Sequence, residues 1–342
     1  MIDRLRRAAF SGSSIALVLV VLGLLYAGSS AYRQELAILA LTYAFLAVGM
    51  YLPLALTGQL SLAYNAYFAI GAYAVVIWSN ETTSASLYAV PVAVAISMAA
   101  ALALGLATVR LTGFHLAVST LLFGIAVRQW ILSEDELTGG VLGLGGVRPP
   151  ELFGWAPDRD AMVVVGALAL WTICVAVGRV RRTSVGVALR AQQDAPAAAA
   201  AAGFPARVSS LLTLAVGAGV ATLGGCFFAY LNGFVLPDSF TVSVAFLVLF
   251  MPVLGGLRTP WGAFLGAVLV ICFTEAFTFL KGPGALTFGA LTLVALALAP
   301  AGLLGLLAAG SDRIGDRLRR RGGADPAPRD RDESDERKAV SA

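Results

Sequence analysis

Apolar residues run through this chain in long blocks, punctuated by Gly, Pro or charge. Such blocks are the signature of helices that cross a hydrocarbon layer ~30 Å thick. They fall near 13–31, 36–56, 60–79, 87–109, 113–132, 161–179, 208–231, 242–254, 261–280 and 285–308. The block at 242–254 is too short to cross, since it makes only roughly 20 Å of helix. It stops at Pro252 and Gly255-Gly256, which predicts a tilted, broken or re-entrant segment. The pattern predicts an all-α membrane protein with about ten transmembrane helices. A short N-terminal segment (1–12) precedes a membrane domain over 13–308, and a polar tail (309–342) follows it.

Composition strengthens this picture. Of 342 residues 58% are hydrophobic and 13% charged, with a mean hydropathy of +0.83. A soluble domain carries about 25% charged residues, so an ordinary soluble enzyme is excluded. The net charge of +4 matters less than its distribution. With the N-terminus placed inside, the inner segments hold Arg4, Arg6, Arg7, Arg110, Arg179, Arg181, Arg182, Arg190, Arg207, Arg258 and nine basic residues of the tail. The outer segments hold Arg33, Arg128, Arg148, Arg159 and Lys281. This asymmetry obeys the positive-inside rule and predicts both termini in the cytoplasm. The apolar stretch after Arg7 is long for a cleaved signal and is read as a retained first helix. The tail mixes basic and acidic residues and reads as a solvated extension, with Arg319, Arg320 and Arg321 as a contact for anionic membrane lipid. Basic residues form no stripe with interleaved aromatics, so nucleic acid is no partner. Cys174, Cys226 and Cys272 stand far apart inside apolar runs and read as small buried hydrophobes. His115 is the single histidine, which excludes a multi-histidine metal centre.

Two loops stand out. The outer loop 133–160 is acidic, with Glu134, Asp135, Glu136, Glu151, Asp158 and Asp160, and holds a glycine-rich stretch from Thr138 to Gly146. The inner loop 180–207 begins basic and continues through an alanine block, a strong helix former bracketed by Pro196 and Gly203. A helix there has little to pack against within the chain and reads as a docking element.

The chemistry is sparse. No G-x-x-x-x-G-K-[ST] phosphate loop occurs, so any ATP hydrolysis belongs to another chain. Ion-coupled carriers place ionisable groups at mid-membrane depth, and Glu275, late in its span, is almost the sole candidate. An ion-coupled secondary transporter of small solutes is the alternative reading, disfavoured on this count. Paired carboxylates, nucleophile–His pairs and metal clusters are missing from the spans, which argues against an enzyme. No cofactor is expected. A pore subunit driven through its inner-loop helix remains.

Specific strings then sharpen the reading. Residues 58–73 (GQLSLAYNAYFAIGAY) resemble the G-x-x-S-L-G-H-A-A-F-x-x-I-G-A-Y segment of branched-chain amino acid ABC transporter permeases. Residues 110–128 are similar to that family's next signature, 137–150 (LTGGVLGLGGVRPP) to the outer-loop stretch of its LivM-type branch, and 186–204 to its coupling segment. PDSF (237–240) and VLGGLRTPWGAFLGA (253–267) complete a set in register from about 36 to 300. The resemblance implies a type II ABC importer permease fold with inverted repeats. It also implies a second, LivH-like permease subunit, two ATP-binding subunits and an extracytoplasmic substrate-binding protein, in a bacterial inner membrane. Known solutes of the wider family are leucine, isoleucine, valine, urea and small amides. The chain departs from the pattern at Ala63 (Gly), Tyr64 (His), Asn65 (Ala), Tyr67 (Phe), Ile125 (an acid) and Val141-Leu142 (a small polar and acidic pair).

Candidate site residues follow. Gln59, Ser61 and Asn65, with Ser61 and Asn65 on one helical face, line a solute pathway beside Thr57, or else tie neighbouring helices. Tyr67 (with Tyr64 and Phe68) gates it or simply packs, and Thr120 and Phe123 face it from one side of their span. Thr138, Gly139 and Gly140 are candidate contacts for the binding protein, whose encounter the acidic loop would steer. Arg190, Asp194, Ala198, Gly203 and Phe204 are the candidate ATPase-coupling residues. Gly217, Gly219, Gly224, Gly225, Gly262 and Gly266 permit close helix packing.

Overall fold

The computed structural model describes residues 31–82, 85–150 and 157–279. The expected first span (except its last residue) and last span, the N-terminal segment and the tail lie outside them, as does the side chain of Glu275. The helices are α1 Ala31–Thr57, α2 Tyr64–Glu81, α3 Ala89–Thr108, α4 Gly113–Ser133, α5 Arg159–Val180, α6 Ser184–Asp194, α7 Pro196–Ala201, α8 Ala206–Asn232, α9 Val242–Gly255 and α10 Pro260–Phe279. Each of the eight inner blocks of the hydrophobic pattern is one helix, its ends moved by a few residues. Helices α1, α3, α4, α5 and α8 are long and apolar enough to cross a membrane. Helix α9 spans 14 residues, about 21 Å, and is the short segment the pattern expected. Two strands, β1 Leu144–Gly145 and β2 Phe234–Val235, pair antiparallel with Leu144 opposite Val235.

Helices α1 and α8 form the buried centre, each mostly enclosed by the other elements. Glycine makes their contact possible. A Cβ on Gly49 would stand 2.5 Å from the Gly217 carbonyl oxygen, and one on Gly217 would stand 2.6 Å from the Gly49 oxygen and 2.7 Å from the Tyr64 hydroxyl. Helix α2 meets α8 as closely, since a Cβ on Gly71 would lie 2.2 Å from the Thr222 oxygen and one on Gly225 2.2 Å from the Phe68 oxygen. The α9–α10 pair repeats the device through Gly255, Gly262 and Gly266. With no hydrophobic drive between helices in lipid, such close van der Waals contact is what holds a bundle.

Pro53 inside α1 has no N–H and leaves the Gly49 carbonyl without its helical donor. The Tyr64 hydroxyl, fully buried, donates to that carbonyl at 3.1 Å. Tyr64 therefore repairs a proline defect four residues upstream of Pro53 and fills the same crossing.

The loops sort to two ends. At the basic end Gly58 lies against the Gln193 side chain, Gln192 bonds the Ala206 carbonyl, and Arg181 bonds the Leu257 carbonyl. At the acidic end Asn80 donates to the Gly145 carbonyl, Ser86 to those of Arg148 and Pro149, and Arg128 pairs with Asp238 at 2.9 Å. The alternation of ends agrees with the order of loops read from charge.

Four expectations need correction, the first being Cys272, which reads as buried from sequence and is exposed. Helix α2 begins at Tyr64, so Ser61 precedes it and shares no helical face with Asn65. Gly58, at φ +69°, breaks the run, and the Leu62 N–H turns to the Thr120 hydroxyl instead of a helical carbonyl. The inner-loop helix expected over 186–204 is two helices, α6 and α7. Pro196 forces Ala195 out of helical geometry (φ −145°, ψ 70°) between them. Nor does α6 lack packing: Gly186 and Leu189 are buried, and a Cβ on Gly186 would lie 2.2 Å from the Val180 oxygen.

Replacing Tyr64 with Phe should leave a buried carbonyl unpaired, a loss of roughly 1–3 kcal/mol. The expected outcome is a lowered midpoint of thermal unfolding for the detergent-solubilised protein. Gly217→Val should act more severely by wedging α1 from α8, and little folded protein should be recovered.

Candidate functional site

Residues 60–63, the start of α2 and the middle of α4 form one polar seam inside an apolar bundle. Thr120 of α4, fully buried, accepts the Leu62 N–H at 2.8 Å and donates to the Ala117 carbonyl at 2.9 Å. Asn65 donates through Nδ2 to the Phe240 carbonyl at 3.3 Å. Its Oδ1 sits in a notch on α4, only 2.3 Å from where a Cβ on Gly124 would stand. Tyr67 stands edge-on to Tyr64 at 5.7 Å and tilted to Phe123 at 6.3 Å. Ser61, Asn65, Tyr67, Thr120 and Phe123 are thus brought together.

Three polar atoms of this seam, Ser61 Oγ, Asn65 Oδ1 and the Tyr67 hydroxyl, are buried with no hydrogen-bond partner among the described residues. Native interiors leave few such atoms, because each costs its lost hydration. A concentration of them marks a place built to meet something polar.

Thr57 and Gln59 stand apart from that seam, at the basic end. Thr57 donates to the Pro53 carbonyl at 2.9 Å and lies 3.4 Å from the Thr213 hydroxyl. With Thr108, Gln192, Arg207 and Ser210 they line a cavity of about 280 Å³ that opens between the 58–63 loop, α6 and the start of α8.

Helix α6 is tied to its surroundings on three sides. Its Gln192 donates to Ser210 Oγ at 2.8 Å and accepts from Ser209 at 2.7 Å, joining it to α8. Gln193 packs on Gly58 of the loop that leads to Ser61. Arg190 turns inward to the carbonyls of Gly186 (3.3 Å) and Arg181 (3.4 Å). Arg181 in turn bonds the Tyr51 hydroxyl of α1 and the Leu257 carbonyl at 2.9 Å. Asp194 is exposed and shares the outward face with exposed Val187, while Val185, also exposed, stands on another side. Ala198 lies within α7, Gly203 (φ +74°) ends the segment, and Phe204 packs against the core. Arg181, Gln192, Ser209 and Ser210 carry this linkage, though none was singled out as a site residue from sequence. The signal was present: a glutamine on the inner side of a short helix and a Ser-Ser pair opening the next span.

Thr138, Gly139 and Gly140 lie at the acidic end, and Thr138 and Gly140 are buried. The Thr138 hydroxyl donates to the Ile131 carbonyl at 2.7 Å. These residues shape the loop and leave its surface to their neighbours. Among the described residues no group of His, Cys, Asp or Glu is placed to hold a metal ion.

Residues 32–308 match the family described as branched-chain amino acid transport system / permease component. The chain is 28% identical over 294 residues to the high-affinity branched-chain amino acid transport system permease protein LivM of Escherichia coli K12, covering 79% of this chain and 69% of that one. The LivM protein of Salmonella typhimurium LT2 is similar to the same extent, 28% over 294 residues. No solved structure matches the chain.

Gln192→Leu should free α6 from α8, removing bonds each worth about 0.5–1.5 kcal/mol. Hydrogen exchange of the 184–194 amides should speed up about tenfold while α1 and α2 stay protected.

Proposed function

The chain belongs to this family of transport permeases, and from that premise we propose that it is the membrane-spanning subunit of an ATP-binding-cassette importer for branched-chain amino acids or related small polar solutes. It is an integral membrane protein and a transport component rather than an enzyme. In this reading it sits in a bacterial inner membrane with both termini cytoplasmic, its ten spans arranged as two inverted halves. A second, LivH-like permease completes the pore, two ATP-binding subunits drive it, and an extracytoplasmic binding protein delivers the solute at the acidic end.

The observation that carries the reading is the three-sided attachment of α6. A force applied to its exposed face, with Val187 and Asp194, is passed by Gln193 to the 58–63 loop and by Gln192 to α8. The loop runs directly into Ser61, Leu62 and Asn65, where the unpaired polar atoms lie. Alternating access then means that α4 and the loop separate at this seam, exposing Ser61, Asn65, Tyr67, Thr120 and Phe123 to the solute. Thr57 and Gln59 border its exit through the basic-end cavity. Arg190 anchors α6, while Asp194, Ala198, Gly203 and Phe204 shape the face that meets the ATPase. The alternative, a carrier driven by an ion gradient, would rest on Glu275, whose side chain lies outside the described residues.

Co-purified with its companion subunits in lipid, the chain should support ATP hydrolysis stimulated by one member of a panel of leucine, valine, glutamate, urea and short amides. Val187→Glu with Asp194→Lys should cut that stimulation at least about tenfold, with the chain still folded and inserted. Stimulation that survives both changes would overturn the docking assignment, and solute accumulation by the chain alone would overturn the importer reading.

A further inference from the structure

The acidic end carries a feature that the pathway and the coupling helix leave unused. Leu142 and Val141 are the most exposed apolar side chains on that end, 83% and 72% accessible. Leu137, Phe234 and Leu236, also exposed, belong to the same loop and to the strand beside it. An apolar cluster exposed on the short helical turns Asp135–Thr138 and Gly140–Leu142, past the end of α4, marks an interaction surface.

The cluster is rigid. Gly139, Gly140, Gly143 and Gly146 all adopt positive φ between 54° and 83°, a region that side chains oppose. A Cβ on Gly143 would fall 2.3 Å from the Val235 oxygen, and one on Gly140 only 1.9 Å from Asp135 Oδ1. The Leu144–Val235 pairing and the Thr138 bond to Ile131 close the loop on both sides. A single shape is imposed, so a partner that seats on it pays little for ordering.

Acidic groups stand beside the cluster. Asp135 abuts Gly140, Glu136 is exposed next to Leu137, and Asp238 follows Leu236 closely and is exposed despite its pairing with Arg128. An apolar tip meant for the bilayer surface would be flanked by cations free to meet anionic headgroups, whereas here Arg128 pairs with Asp238 and Arg148 bonds the Ser79 and Thr82 carbonyls. Acids around an apolar knob instead fit a soluble protein whose own apolar depression is edged by Lys or Arg.

Resting on the importer reading above, we propose that Leu142 and Val141, supported by Leu137, Phe234 and Leu236, form the knob on which the extracytoplasmic binding protein seats. Thr138, Gly139 and Gly140 act beneath it by holding its shape. The division of labour is physical: the acids govern how fast the partner arrives, and the knob governs how long it stays.

The test uses the complete complex in nanodiscs, with ATP hydrolysis followed as purified binding protein is titrated in. Val141→Ser with Leu142→Ser should raise the half-saturating concentration about 10- to 100-fold, with basal hydrolysis and the plateau unchanged. Glu136→Gln and added salt should slow association and leave dissociation as it was. In Leu142→Trp, the added tryptophan emission should shift to the blue when binding protein is supplied. An unshifted titration in the double variant overturns the proposal, and quenching of the added tryptophan by brominated lipid assigns the knob to the bilayer and overturns it too. A wild-type complex that no binding protein stimulates overturns the importer reading, and this proposal falls with it.

Discussion

The structure turns on one crossing, where α1, α8 and the first residue of α2 meet around Gly49, Gly217, Pro53 and Tyr64. Backbone touches backbone there, because neither glycine leaves room for a Cβ. The proline that bends the hydrogen-bond ladder of α1 and the tyrosine that repairs it occupy the same few ångströms. Remove the closeness and the tyrosine loses its acceptor. Remove the tyrosine and the proline leaves a bare carbonyl in a dry interior, where no water can replace the donor. Packing and hydrogen bonding are one constraint at this point.

That constraint decides what can move. Helices α1, α2 and α8 interlock through glycine, and sliding any of them by a fraction of a turn would drive side chains into carbonyls. Helix α4 is held differently. Much of its surface is exposed, and its hold on the polar seam is the Thr120 hydroxyl, the Asn65 notch at Gly124 and ring contacts such as Tyr67–Phe123. These can be exchanged for other partners at modest cost, unlike an interlocked backbone. Asn65 and Tyr67, which carry unpaired atoms with Ser61, lie against α4 at Gly124 and Phe123.

Much of this was legible in the chain. Apolar blocks placed the eight inner helices, the short block at 242–254 announced the short helix α9, and the arginines sorted the loops to the ends where they lie. Periodicity failed wherever one residue's backbone chemistry overrode it. Leu60, Ser61, Leu62 and Ala63 read as a helix start, yet Gly58 in the left-handed region turns them into a loop. The alanine block reads as a helix bracketed by Pro196 and Gly203, where α7 lies, yet the wider coupling segment 186–204 reads as one helix and the proline splits it at Ala195. At the acidic end Thr138, Gly139 and Gly140 attracted notice by their pattern, but a pattern cannot tell a residue that builds a surface from one that presents it. Burial separates them: Thr138 faces inward, and Leu142, two residues past Gly140, faces out. Tyr64 reads as a gate or as plain packing, because no sequence rule links it to a proline eleven positions earlier.

The two ends are built by opposite means, and the contrast bears on mechanism. At the acidic end, positive-φ glycines and a two-residue strand pair impose one conformation on the loop, which suits a surface that a partner must find ready-made. At the basic end, long side chains reach to carbonyls and hydroxyls: Arg181 to Tyr51 and Leu257, Arg190 to Arg181 and Gly186, Gln192 to Ser209 and Ser210. Such bonds hold α6 in register yet let it pivot, since a guanidinium or amide can follow its acceptor through a small rotation. In the proposed cycle, a jointed basic end coupled to a closely tied acidic end concentrates displacement between them. The polar seam beside Thr120 lies between them, and opening there, as proposed, would hydrate atoms that are buried without partners, which lowers its cost.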